Sequence, residues 1–333
     1  MSEIVLAVML VSAVLYAVLG GADFGAGMIE SLLGPRGQKQ VDEALAPVWE
    51  ANHVWMVLLV VLAFVGFPPL YTHVSIFLHI PIVLVLLGIV ARGSAFTFRH
   101  YDPEPGLLDA WYTWVFRVSS LLTPLFLGVS VAAMVQGTLP TTPGGSFYDC
   151  YVGPWNTAFC WTTGVFVCAL FAFEGAALLS AEHARDSGPL PWLRLARGLH
   201  LLAIVTGAAV LFAAWRADLA ILHAAVDSPA SVTAFAVATA ITPVVAYAFR
   251  HGMPWTLRVA TGAQVFCVLT GLFAARYPAL LVHRAGVLTI ADAAAPASTL
   301  RTLVIALIIG LVLIIPSLVY LLRVYKRADS PDL

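Results

Sequence analysis

Nine separate stretches of this chain are apolar over about twenty residues or more. A helix needs about 20 such residues, rising about 1.5 Å each, to cross the roughly 30 Å hydrocarbon core of a bilayer. The stretches run from Ile4 to Leu33, Pro47 to Phe67, Thr72 to Thr97, Trp111 to Thr138, Thr157 to Ala181, Leu195 to Ala220, Ala230 to Phe249, Trp255 to Ala275 and Thr302 to Tyr325. The chain therefore reads as an all-α polytopic membrane protein with nine transmembrane helices. Composition agrees: 61% of the 333 residues are apolar and 11% charged, against about 45–50% and 25% in soluble domains. The first stretch is too long for a cleaved signal peptide, and its only early charge is Glu3, so it is expected to remain in the mature protein.

Lys and Arg set the orientation of such a chain. With nine spans and an external N-terminus, twelve of the 17 basic residues fall on the cytoplasmic side, among them Arg36, Lys39, Arg92 and Arg99. Four fall outside (Arg216, Arg276, Arg284 and Arg301), and Arg117 lies within the fourth span. N-terminus external and C-terminus cytoplasmic is the expected topology. The segment 139–156 has no Lys or Arg and is rich in Pro and Gly, which marks an external loop. No connection is long enough for a second soluble domain. A net charge of −1 gives no support for nucleic-acid binding. Cys150, Cys160, Cys168 and Cys267 show no CxxC spacing, which argues against zinc knuckles, cysteine-ligated clusters and covalently attached haem. Cys150 and Cys160 both lie near the oxidising face, and a disulfide between them is left open.

Ionisable groups at membrane depth cost about 2.5 to 3.5 kcal/mol on insertion scales, so each needs a partner or a water path. Asp23 lies in LGGADFGAGM, where Gly20, Asp23 and Gly27 share a helical face. It reads either as a solvated functional carboxylate or as a charge paired within a packed bundle. In PVWEANHVW, Trp49, Asn52 and His53 share a face and Glu50 precedes His53 by three residues. A carboxylate, an amide and an imidazole there can hold water and pass a proton; the alternative is that the tryptophans anchor the interface while Glu50 hydrates at the helix start. Glu174 and Arg117 are buried polar candidates, best explained as members of a salt bridge between bundles. A bis-histidine haem needs imidazole pairs at equal depth. His79 is the one histidine placed deep within a span, and it reads as a satisfied bundle histidine. No metal or cofactor ligand is expected on this chain.

These motifs together resemble subunit II of the cytochrome bd-type quinol oxidases, including the cyanide-insensitive members. GGADFGAGM (20–28), PVWEANHVW (47–55), RGSAFTFR (92–99), the run from Trp111 to Gly137, EGAALL (174–179) and LTIADAAAPASTL (288–300) carry the resemblance. It covers nearly the whole chain and thins between about His200 and Leu280. The resemblance implies two four-helix bundles, 1–138 and 157–276, separated by the external loop 139–156. A second external loop, 277–300, then leads to a peripheral last helix and cytoplasmic tail, 301–333. It implies a bacterial cytoplasmic membrane protein working as a subunit of a quinol:oxygen oxidoreductase. The partner is a haem-bearing subunit I holding the b-type haems and haem d or its b-type substitute; quinol is the substrate of the complex. No haem lies on this chain, membrane lipid surrounds it, and whether small accessory subunits join is left open. The positions matching Asp23, Trp49 and Glu50 share a proton path from the cytoplasm; Glu50 stands where Asp is commoner, and Glu174 where Gln or His is usual. The competing class is a secondary transporter with buried carboxylates, which should show two matching halves; the sequence has no such repeat.

Overall fold

The computed structural model describes residues 1–46, 49–101, 107–184 and 190–328. The first span is one continuous run, Ser2–Leu32. It begins as α1 (Ser2–Leu15), widens into a π-helical turn at Tyr16–Gly20, and continues as α2 (Gly21–Ile29). A π-turn inserts extra backbone and shifts the register of the faces that follow, and such turns concentrate at functional sites. Helix α3 (Gly34–Leu45) is amphipathic and lies beyond the end of this span.

Helix α4 (Trp49–Gly66) ends where expected, at Phe67, whose φ of −136° and ψ of 63° break the helix. Pro68 then starts α5 (Pro68–Phe77), bent 113° from α4. The expected third span, Thr72–Thr97, is corrected here. The chain breaks again at Leu78 (φ −115°, ψ 18°), and the span is helix α6 (His79–Tyr101). Pro81 contributes the reason, since it has no N–H for the Phe77 carbonyl and its ring crowds that carbonyl, which favours a kink or break at that step. Among the described residues, eight helices are long and apolar enough to cross a membrane, or nine if the bent α4–α5 pair is one span.

Helix α7 (Leu107–Gln136) leads into the loop that holds the short α8 (Phe147–Tyr151), capped by Ser146. Helix α9 (Ala158–Glu182) starts at a Thr157 cap whose hydroxyl accepts from the Cys160 amide. Then come α10 (Leu190–Arg216), α11 (Ala220–Asp227), α12 (Pro229–His251) and α13 (Pro254–Arg276). Prolines open both α12 and α13, where a missing N–H costs nothing. An antiparallel hairpin, β1 (Ala279–His283) with β2 (Gly286–Thr289), and α14 (Ile290–Ala293) precede the last helix, α15 (Ala297–Ala328).

Helix α9 is the axis of the molecule. It packs on α2 and α7 on one side and on α10 and α13 on the other, and 78% of its most apolar window is buried, against 11% for α10, α12 and α15. Glycines allow the close approach: a Cβ on Gly25 would overlap the Phe171 carbonyl oxygen, and one on Gly175 the backbone of Gly25 and Ala26. Gly128 of α7 meets Gly164 of α9 in a second, less tight approach. The chain thus has two faces. The hairpin face carries Met1, α5, α8, α11 and the β-hairpin; the α3 face carries α3 and the starts of α4, α10 and α13.

Candidate functional site

The face of α2 opposite Gly21 and Gly25 carries Asp23, which is 0% exposed. Arg92 of α6 meets it in a two-pronged ion pair: Nη1 donates to Oδ2 and Nη2 to Oδ1, each at 2.9 Å. Nη2 also donates to the Asp23 carbonyl at 3.0 Å, and Nε donates to Ser120 Oγ of α7 at 3.0 Å. The guanidinium lies between the rings of Phe24 and Phe116, 4.8 and 4.7 Å from their centres. Planar donors matched to both carboxylate oxygens and aromatic faces on either side give arginine the partners its burial requires.

The same arrangement repeats seven residues on, about two helical turns nearer the α3 face. Glu30, also 0% exposed, accepts from both Arg99 of α6 (3.1 Å) and Arg117 Nε of α7 (2.8 Å). Arg99 pairs with Asp42 of α3 as well, and its guanidinium lies 4.4 Å from the Phe116 ring centre. Helix α3 is held in place by Trp192 of α10, whose indole N–H donates to Gln40 at 3.0 Å. Three carboxylates and three guanidiniums therefore form a charge-balanced ladder from α3 to mid-membrane, a balance that buried charge demands.

The expected site residues surround this ladder. Asn52 of α4 is buried and donates to the Leu19 carbonyl at 3.3 Å, beside the π-turn. His53 packs its ring 6.1 Å from Phe24 and 6.2 Å from Tyr16, with Nδ1 buried and unpartnered. Tyr16 Oη is likewise buried, and neither atom has a hydrogen-bond partner among the described residues. Trp49 tilts against Phe96, 5.5 Å between centres, and covers Gly93 of α6. The side chain of Glu50 and residues Pro47 and Val48 lie outside the described residues.

Other expectations are corrected. Asp23, left open between two readings, has its carboxylate paired with Arg92. Arg117 bridges to Glu30 and not to Glu174; the two side chains meet the first span nine residues apart, Glu174 of α9 at Gly21, where it is 4% exposed and neither carboxylate oxygen has a hydrogen-bond partner among the described residues. His79 is not deep; the break at Leu78 makes it the first residue of α6, with Nδ1 on the Ile76 carbonyl and its ring against Tyr151. His200, expected near a span start, lies well inside because α10 begins at Leu190, and it packs on Phe173 and Phe249. Cys150 and Cys160 are free thiols, the first hydrogen-bonded to Gly144 and the second to Gln136.

Sequence reasoning missed Glu30 and Asp42, and treated Arg92 and Arg99 as cytoplasmic charges, although both are buried partners. The matched seven-residue spacings, Asp23 to Glu30 and Arg92 to Arg99, are the signal that could have found them.

Among the described residues, the imidazoles within the long helices are not brought together as a facing pair. His53 and His200, the imidazoles described inside the spans, are packed in separate aromatic clusters. The groove between α6 and α7, about 200 Å³ and lined by Leu84, Leu87, Gly88, Trp114 and Leu122, offers no ligand.

Comparison with known proteins bears on the whole chain. A family model described as "Cytochrome bd terminal oxidase subunit II" matches residues 1–325. The "Cytochrome bd ubiquinol oxidase subunit 2" of Bacillus subtilis (strain 168) is 26% identical over 320 residues, covering 94% of this chain and 92% of the relative. The "Cytochrome bd-I ubiquinol oxidase subunit 2" of Escherichia coli (strain K12) is 27% identical over 124 residues, 37% of this chain and 32% of the relative. Among solved structures, a chain of the bd oxidase from Geobacillus thermodenitrificans superposes with a TM-score of 0.77 at 20% identity, over 97% of this chain and 98% of that one.

Proposed function

Because the chain belongs to the family of subunit II of the cytochrome bd terminal oxidases, we propose that it is the haem-free subunit of a quinol oxidase. In this reading it supports a haem-bearing subunit I and lends it a proton path from the cytoplasm. The family match displaces the secondary-transporter reading. Haem chemistry, the transfer of electrons from quinol to oxygen, belongs to the partner; this chain binds the partner and moves protons toward it.

The observation that carries the reading is the buried ladder from the α3 face to Asp23, flanked by the unpartnered Tyr16 Oη and His53 Nδ1. Buried polar atoms without protein partners are the groups that a chain of waters links. The path runs from Glu50 and Trp49 at the start of α4, past Asn52 and His53, to Asp23. Its entry is cytoplasmic if the α3 face is, as the Lys and Arg of the loops indicate; the N-terminus is then external and the C-terminus cytoplasmic. The division into bundles 1–138 and 157–276 with a peripheral last helix is part of the same reading, with α9 joining the two.

The test is Glu50→Gln in the intact oxidase, reconstituted in proteoliposomes with excess quinol and oxygen. A relay group that loses its exchangeable proton should slow turnover and proton uptake roughly tenfold or more, at unchanged haem content, while Glu50→Asp retains most activity. Full turnover in Glu50→Gln would show that protons enter elsewhere.

A further inference from the structure

In the second half of the chain, away from the charge ladder, α10 and α12 border a cleft that is aromatic at its base and cationic at its rim. Helix α10 packs on α9 and α12 packs on α13, and the two come together over α9 through their rings. His200 of α10 meets Phe249 of α12 edge to face at 6.0 Å, and both rest on Phe173 of α9, 4.8 and 6.4 Å between centres. Toward the α3 face the character changes. Arg197 lies one turn before His200, Arg194 one turn before Arg197, and Arg250 directly follows Phe249; all three are exposed. Gly198 has open space where a side chain would stand.

Other cations of this face are engaged: Arg258 pairs with Glu182 at 2.5 Å and Lys39 with Glu43 at 3.8 Å. Among the described residues, Arg194, Arg197 and Arg250 belong to no ion pair. Their depth matches a lipid headgroup. Tyr247 and Trp255, exposed on either side of Arg250, are the residue types that collect where hydrocarbon gives way to headgroups. Farther into the span the outward surface is apolar, with Leu201, Leu202, Val205 and Val244 exposed, which suits acyl chains. Three guanidiniums with no carboxylate paired to them call for an anion, and arginine binds phosphate oxygens through paired N–H donors. A zwitterionic headgroup would bring its own ammonium against them. Basic pockets between spanning helices are where anionic headgroups bind.

We propose that the α10–α12 cleft binds an anionic phospholipid, its phosphate held by Arg194, Arg197 and Arg250 and an acyl chain lying along the His200 and Phe249 rings. The lipid ties together two helices that no ion pair joins among the described residues. The site is independent of the route that protons take.

The experiment uses the intact oxidase, delipidated in detergent, and a phosphatidylglycerol probe with a photoreactive diazirine on its acyl chain. The matched phosphatidylcholine is the control. Peptide mass spectrometry reads cross-links to residues 190–216 and 229–251. In wild type, phosphatidylglycerol should label these peptides at least fivefold more than phosphatidylcholine, and inorganic phosphate added at constant ionic strength should leave the labelling unchanged. Equal labelling by the two lipids overturns the site, and displacement by phosphate shows that it takes a free anion instead. At subsaturating lipid, Arg197→Gln and Arg250→Gln should each lower phosphatidylglycerol labelling about fivefold, the usual worth of one basic residue at a membrane surface, while Arg301→Gln on the hairpin face leaves it unchanged. Wild-type labelling after all three arginines are replaced by Gln overturns the assignment. The comparison of lipids needs no substitution, so it decides the matter even if a variant fails to assemble.

Discussion

Arg92 has a partner for each of its nitrogens, and Asp23 has one cation for both of its oxygens. Breaking such a pair from one side is costly because the other charge stays buried alone, about 3–5 kcal/mol. Asp23→Asn is therefore expected to lower the thermal stability and yield of the assembled oxidase sharply, and Arg92→Lys to fall between it and wild type, because an ammonium cannot reproduce the fork. Normal stability of Asp23→Asn in a thermal melt followed by haem absorbance would contradict this. Glu174 is the opposite case. With neither oxygen partnered among the described residues, its replacement by the isosteric Gln gives up no ion pair there, and Glu174→Gln should change stability by no more than about 1 kcal/mol. A loss as large as that of Asp23→Asn would reveal a partner for Glu174. The contrast shows what a sequence displays at this scale. Asp23, Glu174 and Arg117 were visible because charge stands out in apolar runs. Their pairing was not, because it depends on which faces of α2, α6 and α7 meet.

Between elements, glycine decides distance. Gly25 and Gly175 face backbone across the α2–α9 crossing, and backbone cannot step aside as a flexible side chain can. Gly25→Ala or Gly175→Ala should separate the helices and abolish assembly, whereas Gly198→Ala and Gly310→Ala, with nothing nearby, should be neutral or slightly stabilising through helix propensity. Blue-native electrophoresis of the complexes separates these outcomes. The spans were legible from length and apolarity alone, and the turn at Gly66–Phe67–Pro68 was marked by its proline. The second break was marked as well, by Pro81, but the otherwise apolar run from Ile76 through Leu87 concealed it. The face Gly20–Asp23–Gly27 was legible as a small-residue stripe, yet the tighter stripe is Gly21–Gly25, turned toward α9 by the π-turn. At the far end of the hairpin, Thr289 caps α14 and donates to Asp292 Oδ2 from its hydroxyl (2.6 Å) and its amide (3.3 Å), holding that carboxyl below the ordinary range. A depressed carboxyl stabilises above its unfolded pKa and loses that contribution as pH falls through the folded value. Amide exchange at Asp292 should thus accelerate in acid relative to its neighbours, and a constant ratio would refute the cap.

For the whole molecule, orientation rests on charge outside the membrane. Removing the buried Arg92 and Arg99 from the cytoplasmic tally leaves its excess over the hairpin face intact. A reporter inserted near Gly145 should read as external and one fused after Leu333 as cytoplasmic; the reverse would move the proton entry to the wrong side. The central position of α9 has a further consequence in time. A ribosome adding about 5–20 residues per second finishes the first span well before it reaches residue 158, on the order of ten seconds later. Through that interval Arg92 and Ser120 can already have joined Asp23, but the glycine groove of α2 still waits for its filler. A nascent chain stalled before α9 is therefore a half-closed molecule with its groove open to lipid and to the proteases that patrol the membrane, and survival of the polypeptide is decided when its fifth span leaves the insertion machinery.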